Sequence, residues 1–256
     1  MNRNLLTAGA AIALAAGLSA CSYNENLGRS QLLLVNDASL VTAGQQAWQE
    51  SLAKGRISRD PVANERVRRV GQRIVNAAGM GNQPWEYAVF ENATPNAFAL
   101  PGGKIGVNTG LLALAPTDDL LAVVIAHEVA HNAAHHAAER MSQQTATQLG
   151  LGVAQSALGG AAGADRARQL ASLGSVGAQV GVLLPFSRQH ELEADRLGVD
   201  YMHAAGYDPR AAVALWETMA ARSQTGRPSI LSTHPSDAQR IAALRQYIVS
   251  RGWGPI

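Results

Sequence analysis

The fold is decided by the stretch TDDLLAVVIAHEVAH, residues 117–131. An apolar run at 120–126 leads directly into His127-Glu128-Val129-Ala130-His131, and Pro116 ends the segment before it. Thr117 is placed to cap a helix whose first turn holds two aspartates, the charge favoured at the positive end of the helix dipole. We therefore predict a buried helix from about residue 117 to about residue 143.

Two histidines and a glutamate of this helix have the spacing of a metal site. A helix advances about 100° per residue, so His127 and His131 lie one above the other, roughly 6 Å apart along the axis, and can bind one ion. Glu128 lies beside them, where it can accept a proton from a zinc-bound water. A surface helix with two coincidental histidines is the alternative, but buried histidines need partners and a metal supplies one.

A third metal ligand is expected, since a catalytic zinc commonly has three protein ligands and one open position for water. The best candidate is Glu191, on a second predicted helix that Ser187 can cap. Asp195 shares its face and can accept a hydrogen bond from the N–H of a ligand histidine. Alone, this segment would be interpreted as a solvated acidic face, but next to the first motif the metal interpretation is favoured.

Two further histidines follow the motif closely. His135 lies two turns from His127, about 12 Å along the axis, so the two cannot bind one ion with His131 between them. A metzincin would carry a glycine and a histidine where this chain has two alanines. We expect His135 and His136 to be polar residues of the surface or of the cleft rim.

Five motifs occur in the order typical of one protein family. They are Asn96-Ala97-Phe98-Ala99, the stretch 102–112, His127-Glu128-Val129-Ala130-His131, Glu191-Leu192-Glu193-Ala194-Asp195 and Thr233-His234-Pro235. With them the chain resembles, over roughly residues 88–244, the membrane-associated zinc metallopeptidases of the HtpX, Oma, BepA and LoiP kind, within the gluzincins. The resemblance implies one Zn²⁺ ion per chain, bound by His127, His131 and Glu191, with Glu128 as general base and acid.

The fold class follows from the same motifs. We predict an α+β fold that is predominantly α-helical and zincin-like, with a small β-sheet or hairpin beside the HExxH helix. The two short runs 96–100 and 104–108, around Pro101-Gly102-Gly103, predict that hairpin. An exposed edge strand there could align an extended polypeptide through backbone hydrogen bonds, with little demand on its sequence. The candidate substrate-binding residues are therefore Asn96, Ala97, Phe98 and Ala99, although the hairpin could also be an ordinary one packed on the core.

His234 is a second candidate catalytic residue. In the proteins that the chain resembles, a histidine at this Ser/Thr-His-Pro position reaches the active site. There it could donate a hydrogen bond to a tetrahedral oxyanion, or its neutral nitrogen could take the open position of zinc and hold the enzyme latent. A surface histidine before a helix-starting proline is the third interpretation.

The N-terminal residues predict export. Residues 1–20 have a weakly positive start and an apolar stretch too short to span a membrane with ease, as in a signal peptide. Leu18-Ser19-Ala20-Cys21 resembles a bacterial lipobox, so Cys21 is expected to be lipidated, and Ser22 favours the outer membrane. The prediction is a lipid-anchored protein of the bacterial periplasm. An uncleaved anchor helix is the alternative, and it would leave the chain facing the same compartment.

The rest of the chain is predicted to be a linker, residues 21–40, and one zinc metallopeptidase domain, residues 41–256. The Gly- and Ala-rich stretch 145–186 is predicted to form a flap near the cleft or a hairpin that faces lipid or a partner. Cys21 is the only cysteine in 256 residues, which excludes an intramolecular disulfide and a thiolate metal site. A net charge of +2 gives no indication of nucleic-acid binding.

Taken together, the sequence predicts a zinc endopeptidase that cleaves unfolded or misassembled cell-envelope proteins. The expected partners are polypeptide substrates, the membrane through Cys21, and the outer-membrane assembly machinery. The quality-control role comes only from the resemblance. The alternative function is a zinc-stabilised periplasmic chaperone or outer-membrane assembly factor with little or latent proteolysis.

Overall fold

A computed structural model describes residues 21–157, 186–223, 230, 234 and 238–255, with the backbone alone for 149–157, 222 and 223. The strands are β1 (Cys21–Asn24), β2 (Arg29–Leu32), β3 (Glu86–Phe90), β4 (Ala97–Leu100) and β5 (Lys104–Asn108). The helices are α1 (Asp37–Lys54), α2 (Pro61–Ala77), α3 (Thr109–Leu114), α4 (Asp118–Ala133), α5 (His136–Ala157), α6 (Arg188–Ala204), α7 (Ala211–Ser223) and α8 (Ala238–Ser250). The fold is α+β and mostly helical, as predicted. The predicted signal peptide 1–20, and residues 158–185 of the predicted flap, lie outside the described residues.

Helix α4 is the centre of the fold. Every residue from Leu121 to His131 is buried, because α2 and β4 pack against this helix together with α6 and α7. A helix that is apolar on all sides can be stable only in such a position. The side chain of Thr117 caps it as predicted, accepting a hydrogen bond from the N–H of Leu120 at 3.3 Å. The apolar run therefore fixes the two motif histidines in the interior of the protein.

The predicted helix to residue 143 is wrong, since α4 ends at Ala133 and α5 begins at His136. His135 between them has a φ of 54°, the left-handed region that interrupts an α-helix. The carbonyl of Ala134 accepts a hydrogen bond from the side chain of Gln31 at 2.8 Å. No glycine or proline marks the break, and its stabilising partner is distant in sequence, so helix-stop signals could not reveal it.

The main sheet has the strand order β3-β5-β4, with β5 parallel to β3 and antiparallel to β4. The predicted hairpin is thus confirmed as β4–β5. Gly102 and Gly103 form its turn with φ values of 84° and 79°, which glycine adopts without a steric penalty. In the described part of the chain no strand pairs with the outer side of β4. Strand β4 packs against α4.

Aromatic packing fixes strand β4. The ring of Phe98 lies 5.8 Å from that of Phe90 and 6.3 Å from that of Trp48, measured between centroids. Gly106 on β5 makes room for this cluster, because a Cβ at that position would lie 2.3 Å from Cζ of Phe98. The edge strand is therefore held by a small core of its own beneath the sheet.

The segment 21–40, for which the sequence predicts a linker, holds the hairpin β1–β2 and the start of α1. Arg29 of β2 forms ion pairs with Glu139 of α5 at 2.7 Å and with Glu193 of α6 at 2.6 Å. These ion pairs attach the hairpin together with Leu27 of its turn, which packs on an apolar cluster of α4 and α6. A single apolar residue leaves little apolar pattern in the sequence. No helix in the described ranges is both long enough and apolar enough to cross a membrane.

Candidate metal centre

Four buried side chains from three parts of the chain converge at one point. His127 and His131 come from α4, Glu191 comes from α6, and His234 precedes α8. Each offers one ligand atom, and the four atoms lie within 4.8 Å of one another. The structure thus brings together the three ligands that the sequence predicted and adds the nitrogen of a fourth residue.

The spacing of these atoms fits a zinc ion. The Nε2 atoms of His127 and His131 are 3.1 Å apart, and those two nitrogens lie 3.4 and 3.5 Å from the nearer oxygens of Glu191. Tetrahedral zinc with bonds of about 2.0–2.2 Å separates its ligand atoms by about 3.3–3.6 Å, which the two distances to Glu191 match and the distance between the histidine nitrogens approaches. Two buried imidazole nitrogens that face each other need a proton or a cation between them. Imidazole and carboxylate ligands are those that zinc takes in catalytic sites.

Close packing of α4 against α6 sets this geometry. Ser187 caps α6, its side chain accepting from the N–H of His190 at 3.2 Å, as the sequence predicted. Gly198 lies against the backbone of His127, where a Cβ would come within 3.3 Å of the His127 nitrogen. The absence of a side chain at 198 therefore lets the two helices approach closely enough for Glu191, two turns earlier, to reach the histidines.

The outer face of His127 is held by a carboxylate. Nδ1 of His127 lies 3.0 Å from Oδ1 of Asp195, which is the arrangement that the sequence predicted for Asp195. When Nδ1–H donates to this carboxylate, Nε2 keeps its lone pair for the ligand cluster. The contact with Asp195 therefore favours the tautomer with the proton on Nδ1 and restricts the orientation of the ring.

Arg240 of α8 is a site residue that the sequence analysis missed. Its NH1 lies 2.6 Å from Oε2 of Glu191, and its other nitrogens donate to the two oxygens of Asp195 at 2.8 Å each. Its side chain is only 2% exposed. In the sequence, Arg240 stands out only as a charged residue on a helix that is recognised by the spacing of its apolar residues. That spacing does not reveal which residues a buried arginine contacts. Arg240 thus joins the two carboxylates of α6 through its guanidinium group.

Burial and hydrogen bonding move the pKa values of these groups in opposite directions. Burial alone would raise the pKa of Glu191, but hydrogen bonds from His127, His131 and His234 outweigh it and hold that pKa far below the ordinary range. Burial would lower the pKa of His127, yet its bonds to Asp195 and Glu191 raise it to about 9. Glu191 is thus favoured in its charged form, as a carboxylate that binds a metal ion must be.

Glu128 lies beside the cluster and near the edge strand. Burial raises its pKa, while a backbone hydrogen bond at Ala99 of β4 acts in the opposite direction. Of the predicted substrate-binding residues, Ala97 is buried, whereas Asn96, Phe98 and Ala99 are half-buried. The structure therefore sets the candidate general base next to the strand that was predicted to align a substrate.

His234 is buried, so the interpretation as a surface histidine is wrong. Its Nδ1 lies 3.2 Å from Nε2 of His127 and 3.0 Å from Oε1 of Glu191. Its Nε2 lies 3.2 Å from Oε1 of Glu128. The ring thus bridges the ligand cluster and the candidate base.

The prediction for the two histidines after the motif is half right. His135 is well exposed, with its ring 3.5 Å from Asp37, as a rim residue would be. His136 is fully buried, and its Nδ1 lies 2.9 Å from Nδ1 of His131. The break between α4 and α5 turns His136 inward, which a continuous helix would not have done.

Comparison with known proteins agrees with this geometry. The model of peptidase family M48 matches residues 61–248, a segment that holds all four residues of the cluster. Over 184 residues the chain is 41% identical to the mitochondrial metalloendopeptidase OMA1 of Schizosaccharomyces pombe, which covers 71% of this chain and 52% of that protein. It is 30% identical over 190 residues to the beta-barrel assembly-enhancing protease of Escherichia coli, covering 73% of this chain and 39% of that one.

A third relative matches over most of its length. The metalloprotease LoiP of Escherichia coli is 30% identical over 224 residues, which are 87% of this chain and 85% of LoiP. By contrast, the chain spans about half of the OMA1 protein and about two fifths of the assembly-enhancing protease. Because the family model matches well over half of the chain, the chain belongs to peptidase family M48, as the sequence predicted.

Proposed function

We propose that this chain is a zinc-dependent endopeptidase with His127, His131 and Glu191 as the metal ligands. The observation that carries the proposal is the convergence of these three buried side chains, with Glu128 next to them, at the foot of the edge strand β4. Zinc, when bound, supplies a polarised water whose pKa is lowered toward about 7.

Glu128 is the general base and acid of the proposed reaction. Its carboxylate accepts the proton of the attacking water and then delivers it to the amine nitrogen that leaves. Burial raises the pKa of this carboxyl group, toward the range in which a base works near neutral pH. The bonds of Asp195 and Arg240 hold His127 and Glu191 in place, so little reorganisation is needed during the reaction.

The proposed substrate is an extended polypeptide that pairs with the outer side of β4. Backbone pairing of this kind selects for an unfolded segment rather than for a particular sequence. This mode of binding supports unfolded or misassembled cell-envelope proteins as substrates. The name of one relative, a beta-barrel assembly-enhancing protease, supports the same proposal and the outer-membrane assembly machinery as a partner.

Two roles are proposed for His234 at this site, a latch on the metal and a catalytic hydrogen-bond donor. Its Nδ1 lies as close to the ligand cluster as the ligand atoms lie to each other, which supports a latch at the fourth position of the metal. Its contact with Glu128 supports the other interpretation, a hydrogen-bond donor to the oxyanion. The variant His234→Ala separates the two, since a rise in peptidase activity supports the latch and a fall supports the donor.

The second candidate function is an assembly factor or chaperone of the envelope with latent proteolysis. The proximity of His234 to the ligand cluster favours it, because a fourth protein ligand would close the position that water needs. In this case the metal stabilises the fold, and binding of the envelope protein is the activity.

The proposed location is the bacterial periplasm, with a lipid on Cys21 that anchors the chain to the outer membrane. Cys21 is exposed at the start of β1, which leaves room for a lipid. In a bacterial host, the parent is expected to incorporate labelled palmitate and to fractionate with membranes. Cys21→Ser should lose both properties, and an unchanged pattern would contradict the anchor.

The test of the function is casein degradation by zinc-loaded protein. Cleavage that a chelator abolishes and that Glu128→Gln lacks, although this variant still binds zinc, supports the peptidase. A zinc-loaded parent and a zinc-loaded His234→Ala variant that both fail to cleave would favour the assembly factor. A Glu128→Gln variant that cleaves at the parent rate would contradict the proposed role of Glu128.

A further inference from the structure

A chain of polar side chains leads from the back of His131 to the N-terminal hairpin. Nδ1 of His131 lies 2.9 Å from Nδ1 of His136, and Nε2 of His136 lies 3.0 Å from Oε2 of Glu193. Arg29 of β2 donates from Nε and NH2 to the two oxygens of Glu193, at 2.6 and 2.7 Å. These four residues form a continuous series of hydrogen bonds, which we call the hairpin relay.

The direction of each hydrogen bond follows from the metal cluster. His131 turns Nε2 toward the other ligand atoms, so its proton resides on Nδ1 and is donated to His136. His136 must then accept at Nδ1 and carry its own proton on Nε2, which donates to Glu193. A neutral His136 satisfies both bonds, because it then has one acceptor nitrogen toward His131 and one N–H toward Glu193. The relay therefore fixes the tautomer of His131 as Asp195 fixes that of His127.

Arg29 holds the far end of the relay in place. Its guanidinium also donates to both oxygens of Glu139 on α5, at 2.7 and 2.8 Å, so that it joins α5 to α6. The ring of His190 stacks on that of His136, with centroids 4.5 Å apart, and its Nε2 lies 3.2 Å from Glu139. His136 thus has no freedom to turn away without breaking contacts on both sides. Paired arginine–carboxylate bonds of this kind impose a fixed orientation on their partners.

We propose that His136 is a positioning residue for the metal ligand His131, and that Arg29 of the N-terminal hairpin completes the metal site by fixing Glu193 behind it. The inference rests on the proposed metal site and deepens it. Arg29 precedes the segment 61–248 that the family model matches, so this support comes from a part of the chain outside that match. Loss of the partner of a ligand histidine typically costs 10–100-fold in metal affinity.

The test measures the zinc dissociation constant of metal-stripped protein by competition with a chromophoric chelator. His136→Leu replaces the ring with an apolar side chain of similar reach and so removes the acceptor, whereas His136→Asn retains an oxygen acceptor close to the position of Nδ1. Arg29→Met removes the guanidinium at the surface end of the relay. Arg56→Met is the matched control, because Arg56 forms an exposed ion pair with Glu91 at 2.7 Å, away from the metal cluster.

The expected result is a graded loss of affinity. His136→Leu should weaken zinc binding by about 10–100-fold and Arg29→Met by a smaller factor. His136→Asn should stay much nearer to the parent than His136→Leu, and Arg56→Met should equal the parent. Cobalt-substituted Arg29→Met should also show altered visible absorption bands, since a reoriented His131 changes the coordination geometry. A purely structural role of Arg29 would leave those bands unchanged.

Other outcomes would overturn the inference. Parent affinity in His136→Leu, or equal losses in His136→Leu and His136→Asn, would show that the hydrogen bond to His131 has no role. If His136→Leu fails to fold, the zinc affinity of Arg29→Met still tests the hairpin independently. Parent affinity in Arg29→Met would show that the hairpin does not support the metal site. A parent protein that binds no zinc would instead contradict the proposed function itself, so the two failures are distinguishable.

Discussion

Removal of Arg240 should destabilise the metal-free protein strongly and the zinc-bound protein less. Arg240 lies 2.6 Å from Glu191 and 2.8 Å from each oxygen of Asp195, and the three side chains are 2%, 1% and 4% exposed. Arg240→Met keeps most of the side-chain volume but leaves two buried carboxylates without their shared cation. Breaking such a buried pair typically costs about 3–5 kcal/mol, a large share of the roughly 5–15 kcal/mol by which a domain is stable.

Zinc should offset part of this loss. In the metal-free variant part of the compensation would come from His127, since burial lowers its pKa but hydrogen bonds to Asp195 and Glu191 outweigh burial and raise it to about 9. A bound divalent cation would compensate the charge of Glu191 directly, so the variant should lose less free energy of unfolding with zinc than without it.

The assay is urea unfolding of the parent and the variant, each with and without zinc, analysed by linear extrapolation. Arg56→Met is the control, since an exposed ion pair contributes little. An unchanged free energy of unfolding in metal-free Arg240→Met would refute the argument that this cation stabilises the two carboxylates. Equal losses with and without zinc would refute the argument that the metal shares their compensation.

Three further predictions concern the site and its support. Glu128→Gln should bind zinc like the parent and lose about 10²–10⁴-fold in the rate of casein cleavage, and a zinc-binding measurement beside the rate assay checks both parts. Gly198→Val should weaken zinc binding, because a Cβ at this position would lie 3.3 Å from the backbone nitrogen of His127 and a branched side chain would push α4 away from α6. Unchanged zinc affinity would show that the close approach of these helices is not needed for metal binding. Hydrogen bonds from Arg29 outweigh burial and lower the pKa of Glu139 and of Glu193. Their stabilisation should therefore be complete above about pH 4.5 and lost as the pH falls through the lowered folded-state values. Urea unfolding at about pH 6 and about pH 3 should show a fall in stability that is smaller in Arg29→Met, and an equal fall would contradict the ion-pair cluster.

The local features of the fold could be predicted where the signal was short-range. The Thr117 cap, the apolar wall of α4 and the hairpin around Pro101-Gly102-Gly103 all depend on neighbouring residues, and the structure has each of them. The convergence of His127, His131 and Glu191 was predictable because the first two share a helix face and the third lies in a motif with its own helix cap.

What the sequence did not reveal depends on contacts between distant segments. Arg240 reaches Glu191 across more than forty positions, and nothing in the spacing of α8 marks a cation that faces the core. The burial of His136 depends on the break at His135, which a hydrogen bond from Gln31 to Ala134 stabilises. The hairpin β1–β2 is attached by ion pairs, and hydrophobic periodicity does not detect such an attachment.

The most direct measurement of the central claim is anomalous X-ray diffraction at the zinc edge from crystals of zinc-loaded protein. We expect one strong peak per chain, with zinc at about 2.0–2.2 Å from Nε2 of His127, Nε2 of His131 and a carboxylate oxygen of Glu191. A peak elsewhere in the molecule, or a Glu191 side chain turned away from a metal held by the two histidines, would contradict it.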